Sequence, residues 1–295
     1  MTLSRRAFLT SIAASGALAS LPARAGFDLE SVIGGAQQVI GAYASGEEDE
    51  IRIGQNYYKD YLAKSGGAYP DRNAQSALQS FASPLMKAAD RSKLPWEVTL
   101  LKNDEVNAWA LPGGKIAINS GLIRYADHPV ELASVLAHEV GHADKSHGLS
   151  QIRTEAVVST VGGIGKEALA GWLGSAGAIG REALTALEGP LYKLILTGYS
   201  RQNEFEADNH ILGIFAKTGM DPQRASDFFK TLMKIYPDSS QETTSLFSTH
   251  PGTRERVERL TDSARSLARP GSDPVPKGWR ELKALFPTPA GFRKA

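Results

Sequence analysis

The chain has 295 residues, 42% of them hydrophobic, which is enough to bury a sizeable core in one large or two small domains. Its formal net charge is +1 and its basic residues are scattered rather than striped, so no basic field exists for nucleic acid. It has no cysteine, which excludes a disulfide framework, a thiolate metal site and a lipid-bearing cysteine; any metal must be held by His, Asp or Glu.

The first 25 residues read as an export signal. Arg5 and Arg6 form a basic start, Ala7–Leu21 is mildly apolar, and Ala23-Arg24-Ala25 is an A-x-A cleavage site. The paired arginines before Ala7-Phe8-Leu9 resemble a twin-arginine signal, so the expected mature protein is periplasmic and starts at Gly26. An uncleaved anchor, giving a membrane-associated protein, is the competing reading, against which the apolar run is shorter than the ~20 residues that span a bilayer.

Residues 26–95 carry apolar side chains at helical spacing, notably Ile51, Ile53, Tyr57, Tyr58, Tyr61 and Leu62, then Leu78, Phe81, Leu85 and Met86, and predict two or more helices. Residues 96–123 predict a small sheet: β-favouring residues alternate at Val98-Leu100 and Ile116-Ile118, with a Pro-Gly-Gly turn at 112–114 between them. From Pro129 to His147 the spacing is helical again, with Pro129 in the first turn, Gly148 as the stop and His147 finishing the helix. The Gly/Ala-rich segment 155–190 has no uncharged run long enough to cross a membrane, the longest being Ala168–Gly180. A second long helix is expected over Pro190–Thr218, stopped by Gly219, with Asp221-Pro222 opening a third. The proline-punctuated tail 270–295 either wraps the body or stays loose. The expected organisation is a signal at 1–25, one catalytic domain at 26–269 and this tail.

Within the 129–147 helix lies "HEVGH". At about 100° per residue, His138 and His142 project from nearly the same face one turn apart and can reach one ion. Glu139 is about 100° round from His138, placed to act as general base on a water bound to that metal. A catalytic zinc needs a third ligand and an open position. "SRQNEFEADNH" at 200–210 supplies candidates: Glu204 and Asp208 share a face, whereas Glu206 lies roughly 200° from Glu204. Glu204 is the expected ligand, with Glu206 the alternative, and Asp208 is expected to accept a hydrogen bond from the outer nitrogen of a metal-binding histidine.

Together HEVGH, "EFEAD", "NAWALPGG" at 107–114 and "THPGTRERV" at 249–257 resemble the HtpX-like, Oma-type and prenyl-protein-processing gluzincins, in order and spacing along about 95–260. The resemblance implies an α+β, predominantly helical, zincin-like fold with a small sheet over the HExxH helix. It implies a zinc endopeptidase with one Zn2+ held by His138, His142 and Glu204, and Glu139 as base. It also implies that the strand Asn107, Ala108, Trp109 and Ala110 rims the cleft, where an exposed edge could pair with an extended substrate. The membrane-bound members' transmembrane helices and a periplasmic member's helical-repeat domain are absent from this sequence, which suggests a minimal exported relative acting on unfolded proteins. A zinc-containing peptide-binding or chaperone-like module is the competing class, and a closed four-ligand site would favour it.

Other residues stay open at this point. His250 is either a loop-capping histidine, a removable fourth metal ligand, or a group that contacts the scissile carbonyl. Arg256 binds a catalytic carboxylate or the oxyanion, or makes a structural salt bridge. Trp109 reads as packing before substrate recognition, His128 as a turn residue, and His210 as packed or exposed.

Overall fold

The computed structural model describes residues 46–152, 198–236, 246–250, 253–270, 273–290 and 292. The N-terminal signal and the 155–190 segment lie outside the described residues.

The chain opens with α1 (Glu47–Lys64) and α2 (Arg72–Lys87), the two helices expected from the apolar spacing. α2 starts where the Asp71 carboxylate accepts from the backbone N–H groups of Asn73 and Ala74. Three strands follow: β1 (Glu97–Leu101), β2 (Ala108–Leu111) and β3 (Lys115–Asn119). Their order is β1-β3-β2, with β3 parallel to β1 and antiparallel to β2 across the Pro-Gly-Gly turn.

The strands alternate with period two between two cores. Val98, Leu100, Ala108, Ala110, Ile116 and Ile118 face the main core, whereas Leu101, Trp109, Leu111 and Ala117 face Ile53, Tyr57, Tyr58 and Tyr61 of α1. The sheet is thus buried on both faces. Trp109, 6% exposed, meets the Tyr58 ring edge-on at 6.0 Å, the packing role expected of it.

After α3 (Ser120–Tyr125), α4 (Pro129–Asp144) runs through the interior, every residue buried. His128 caps it: its Nδ1 accepts from Val130 N–H at 3.3 Å, while Glu131 reaches back to accept from His128 N–H at 3.1 Å and Asp127 N–H at 2.6 Å. α5 (Arg201–Thr218) lies against α4, and Gly141 makes their approach close: a Cβ there would sit 3.1 Å from the Ala207 Cα and 3.2 Å from its carbonyl. The chain continues through a 3₁₀ turn at Pro222–Arg224, capped by Asp221, into α6 (Asp227–Ile235), then α7 (Leu246–Thr249) and α8 (Thr253–Ala264).

Three boundaries differ from the sequence reading. α4 stops at Asp144, not at Gly148, because Ser146 takes the left-handed conformation (φ 54), held by hydrogen bonds from Arg91 (2.7 Å) and to Glu50 (2.9 Å). His147 therefore does not finish α4; it begins a new helical turn that includes Gly148. α5 starts at Arg201, capped by Ser200, and Gly198 and Tyr199 before it are not helical; Gly219 (φ 74) ends it as expected. The tail packs: α9 (Trp279–Leu285) places Leu282 and Phe286, both 0% exposed, in the main core, with the Phe286 ring 5.0 Å from that of Tyr69. Among the described residues no helix is long and apolar enough to cross a membrane.

Candidate metal centre

α4 presents His138, Glu139 and His142; α5 presents Glu204 and Asp208; His250 directly follows α7; α8 contributes Arg256. All seven residues are 4% exposed or less. His138 Nε2 is 3.0 Å from His142 Nε2, 3.2 Å from His250 Nδ1 and 3.4 Å from Glu204 Oε2. His142 Nε2 is 3.4 Å from Glu204 Oε1, and His250 Nδ1 is 3.1 Å from the same oxygen. A tetrahedral ion with ligand bonds of about 2.0–2.1 Å needs donors roughly 3.3 Å apart. These four side chains hold that spacing, and their donor atoms all fall within 4.8 Å of one another.

The charges point the same way. Glu139, Glu204 and Asp208 are buried carboxylates, and Arg256 is the buried cation beside them. Arg256 grips Asp208 with Nε at 2.8 Å and Nη2 at 2.7 Å, meets Glu204 Oε2 at 2.8 Å, and donates to the His250 carbonyl at 3.2 Å. Among the described residues neither Glu139 oxygen has a hydrogen-bond partner; the nearest basic nitrogen there is His250 Nε2, 3.5 Å away. A divalent cation and a water would complete such a set, since buried charge is tolerated only when paired.

Burial raises the Glu139 pKa, against the pull of His250 and His138, which suits a group that must take up a proton. Burial also works against ionised Glu204, but His250 and Arg256 outweigh it and hold its pKa well below the usual carboxylate range. His142 is pushed well below the ordinary histidine value by burial and by His138, leaving a lone pair for coordination. For His138, burial and Arg256 oppose protonation, yet the hydrogen bonds to Asp208 and Glu204 prevail and raise it to about 9 in the metal-free protein. Metal uptake must therefore release a proton.

The candidates named from sequence thus converge, with two refinements. Glu206 lies away from the cluster, half exposed, its Oε2 3.2 Å from His147 Nε2. Asp208 Oδ1 is 3.1 Å from His138 Nδ1, where an outer partner was expected. Sequence reasoning missed Tyr199, whose ring stacks on His142 at 3.7 Å and 13°; nothing in periodicity marks an aromatic in the turn before Ser200.

The rim strand differs from the exposed edge that was expected. β2 is the outer strand of the sheet, but Ala108–Leu111 are all buried and the strand is covered by the chain itself. Tyr199 Oη donates to the Ala110 carbonyl at 3.2 Å, Leu246 N–H to the Val106 carbonyl at 3.0 Å, and Thr249 Oγ1 to Asn107 Oδ1 at 3.3 Å. Gly198 (φ 73) allows this, because a Cβ there would collide with the Thr249 carbonyl. Ala108, Trp109, Ala110, Tyr199 and His250 line a remnant of about 10 Å³, too small for a peptide.

Residues 72–264 match Peptidase family M48. The chain belongs to that family. The four motifs had pointed there, and membership places the chain among zinc metallopeptidases with the α+β, mainly helical, zincin-like fold. It is 32% identical over 223 residues to the beta-barrel assembly-enhancing protease of Escherichia coli (strain K12), a match covering 74% of this chain and 44% of that protein. It is 28% identical over 209 residues to metalloprotease YcaL of the same organism, covering 68% and 78%. It is 29% identical over 174 residues to the mitochondrial metalloendopeptidase OMA1 of Arabidopsis thaliana, covering 58% and 32%. The match thus takes in less than half the length of the beta-barrel assembly-enhancing protease.

Proposed function

We propose that this protein is an exported zinc endopeptidase that cleaves unfolded or misassembled proteins, in which His138, His142 and Glu204 hold one zinc and Glu139 is the general base. The observation that carries the reading is the convergence of these donors at ligand spacing beside a buried carboxylate that has no hydrogen-bond partner among the described residues. Zinc, when bound, would polarise the scissile carbonyl and acidify the attacking water. Glu139 takes the proton of that water and passes it to the leaving amine, and no covalent intermediate forms. Arg256 keeps Glu204 and Asp208 ionised, and Asp208 fixes the proton of His138 on Nδ1, leaving Nε2 free to coordinate.

His250 supplies a fourth donor, which is also what a structural zinc in a binding module would have. Family membership favours hydrolysis, so we read His250 as a removable ligand of a resting state. β2, whose Ala110 carbonyl Tyr199 now occupies, would take the substrate once Tyr199 and α7 move aside.

The test is Glu139→Gln. The variant should keep one zinc per chain while casein cleavage falls by on the order of 10²–10⁴-fold, the usual worth of a general base. Undiminished cleavage would reject the mechanism. Periplasmic placement by the twin-arginine route rests on residues 1–25 and is checked separately: Arg5→Lys with Arg6→Lys should leave an uncleaved cytoplasmic precursor, and the native protein should begin at Gly26.

A further inference from the structure

We propose that His147 and Glu206 form a relay that positions His142 as a metal ligand, the counterpart on this side of what Asp208 does directly for His138. The inference rests on the reading that His142 binds zinc through Nε2. That nitrogen faces His138 and Glu204, while the opposite nitrogen, Nδ1, lies 3.0 Å from His147 Nδ1.

Two ring nitrogens at 3.0 Å share one proton, and coordination decides who owns it. A neutral imidazole that gives its Nε2 lone pair to a metal carries its proton on Nδ1. His142 must then donate and His147 Nδ1 must accept. His147 in turn carries its proton on Nε2, which faces Glu206 Oε2 at 3.2 Å, and the carboxylate accepts. Each link donates in one direction only, from His142 through His147 to the Glu206 carboxylate. Gln202 Nε2 donates to the other Glu206 oxygen at 2.9 Å, which outweighs the desolvation of this half-exposed carboxylate and favours its charged form.

The early end of α4 makes the relay possible. In an unbroken helix residue 147 would sit about 140° round from residue 142. The left-handed Ser146, locked by Arg91 and Glu50, turns the chain so that the two rings meet, 5.1 Å between centroids. Tyr199 stacked on the His142 face holds the ring plane from a third direction. An outer partner of this kind is worth about ten- to hundredfold in metal affinity. His147 is a positioning residue: it acts through His142 and does not reach the ligand cluster itself.

The test uses the full-length mature protein and reads three quantities: the zinc Kd by chelator competition, the unfolding temperature of the metal-free form, and the histidine tautomers by ¹⁵N NMR of the zinc form. His147→Leu should weaken zinc binding at least about tenfold while the metal-free unfolding temperature stays near wild type. His147→Asn, whose amide carbonyl still accepts from His142, should recover most of the affinity. Glu206→Gln should lose less than Glu206→Ala, since it keeps the acceptor and drops the charge. Wild-type zinc affinity in His147→Leu, an Asn variant no better than Leu, or a proton on His147 Nδ1 would each overturn the relay. His142→Ala separates the two ideas. If it binds zinc like wild type, the ligand reading itself fails and takes the relay with it; if it loses zinc while His147→Leu does not, the relay alone is wrong.

Discussion

Helices α4 and α5 meet twice over acid-histidine clusters, and the two clusters have opposite electrostatics. In the first, Glu139, Glu204 and Asp208 lie beside the guanidinium of Arg256, and imidazole nitrogens converge with the Glu204 carboxylate at 3.0–3.4 Å. In the second, at the end of α4, Asp90, Asp144 and His210 also come within ligand distance of one another. There, however, Lys145 and Lys217 approach Asp90 at 3.1 and 2.9 Å, and Asp144 accepts backbone N–H groups from Asp90 and Arg91 at 2.7 Å each, with His210 Nε2 2.8 Å away. The first cluster has an excess of buried negative charge that a divalent ion would balance. The second is already balanced by resident cations, and it offsets the unfavourable placement of an acid at a helix C-terminus. Residue types alone do not separate the two; the competing cations do.

The largest expected effect tests that contrast directly. His138→Ala and Glu204→Ala should lose both zinc and hydrolysis, because two protein ligands bind zinc far less well than three, whereas Asp144→Ala and His210→Ala should keep one zinc per chain by elemental analysis. Two zincs in the wild type, one of them lost with His210, would break the comparison. Next in size is stability. Asp144→Ala strands two backbone N–H groups and His210, and should cost about 2–3 kcal/mol in urea unfolding; a smaller loss than in the exposed Asp90→Ala would show that the buried pair is not the clamp.

The same contrast explains what could be read in the sequence. The HEVGH helix, the sheet with its Pro-Gly-Gly turn and the Gly219 stop all follow from local chemistry, and so does the shared face of Glu204 and Asp208. The end of α4 did not, because Ser146 becomes left-handed only through partners at positions 50 and 91, far away in sequence. Gly148 looked like the stop because glycine needs no such help. The start of α5 was misplaced for a related reason: Gly198 takes a left-handed conformation and Tyr199 a non-helical one where they lie against Thr249 and β2, which helical periodicity cannot register. The covering of β2 was hidden for the same cause.

His250 sharpens the comparison from the other direction, since it is the donor whose removal should increase function. If it closes a resting site, His250→Ala should raise basal cleavage of an unfolded substrate, or self-cleavage, with zinc retained. If it instead stabilises the transition state, turnover falls with zinc still bound. The two signs are opposite, so one assay of initial rate decides between them.

The smallest effect concerns His128, a histidine that, like the second cluster, has a resident cation beside it. Its Nδ1 accepts from Val130 N–H, which requires the neutral ring at the start of α4, and Arg224 Nη1, 3.1 Å from Nε2, places a positive charge beside it. Burial, and then Arg224, lower its pKa below the ordinary histidine value. A histidine with a depressed folded-state pKa contributes stability that is present above its unfolded pKa of about 6.5 and is lost as pH falls through the folded value. The Tm of the wild type should thus drop from pH 7 to pH 5 by more than that of His128→Asn, which keeps a capping side chain but does not titrate. Because the site is partly open to solvent, the difference should be about 2 °C or less. A His128→Asn protein whose Tm falls as steeply as wild type over that interval would remove His128 as the source and leave the pH dependence to His142 of the metal-free cluster, which burial and His138 also hold below the ordinary histidine value.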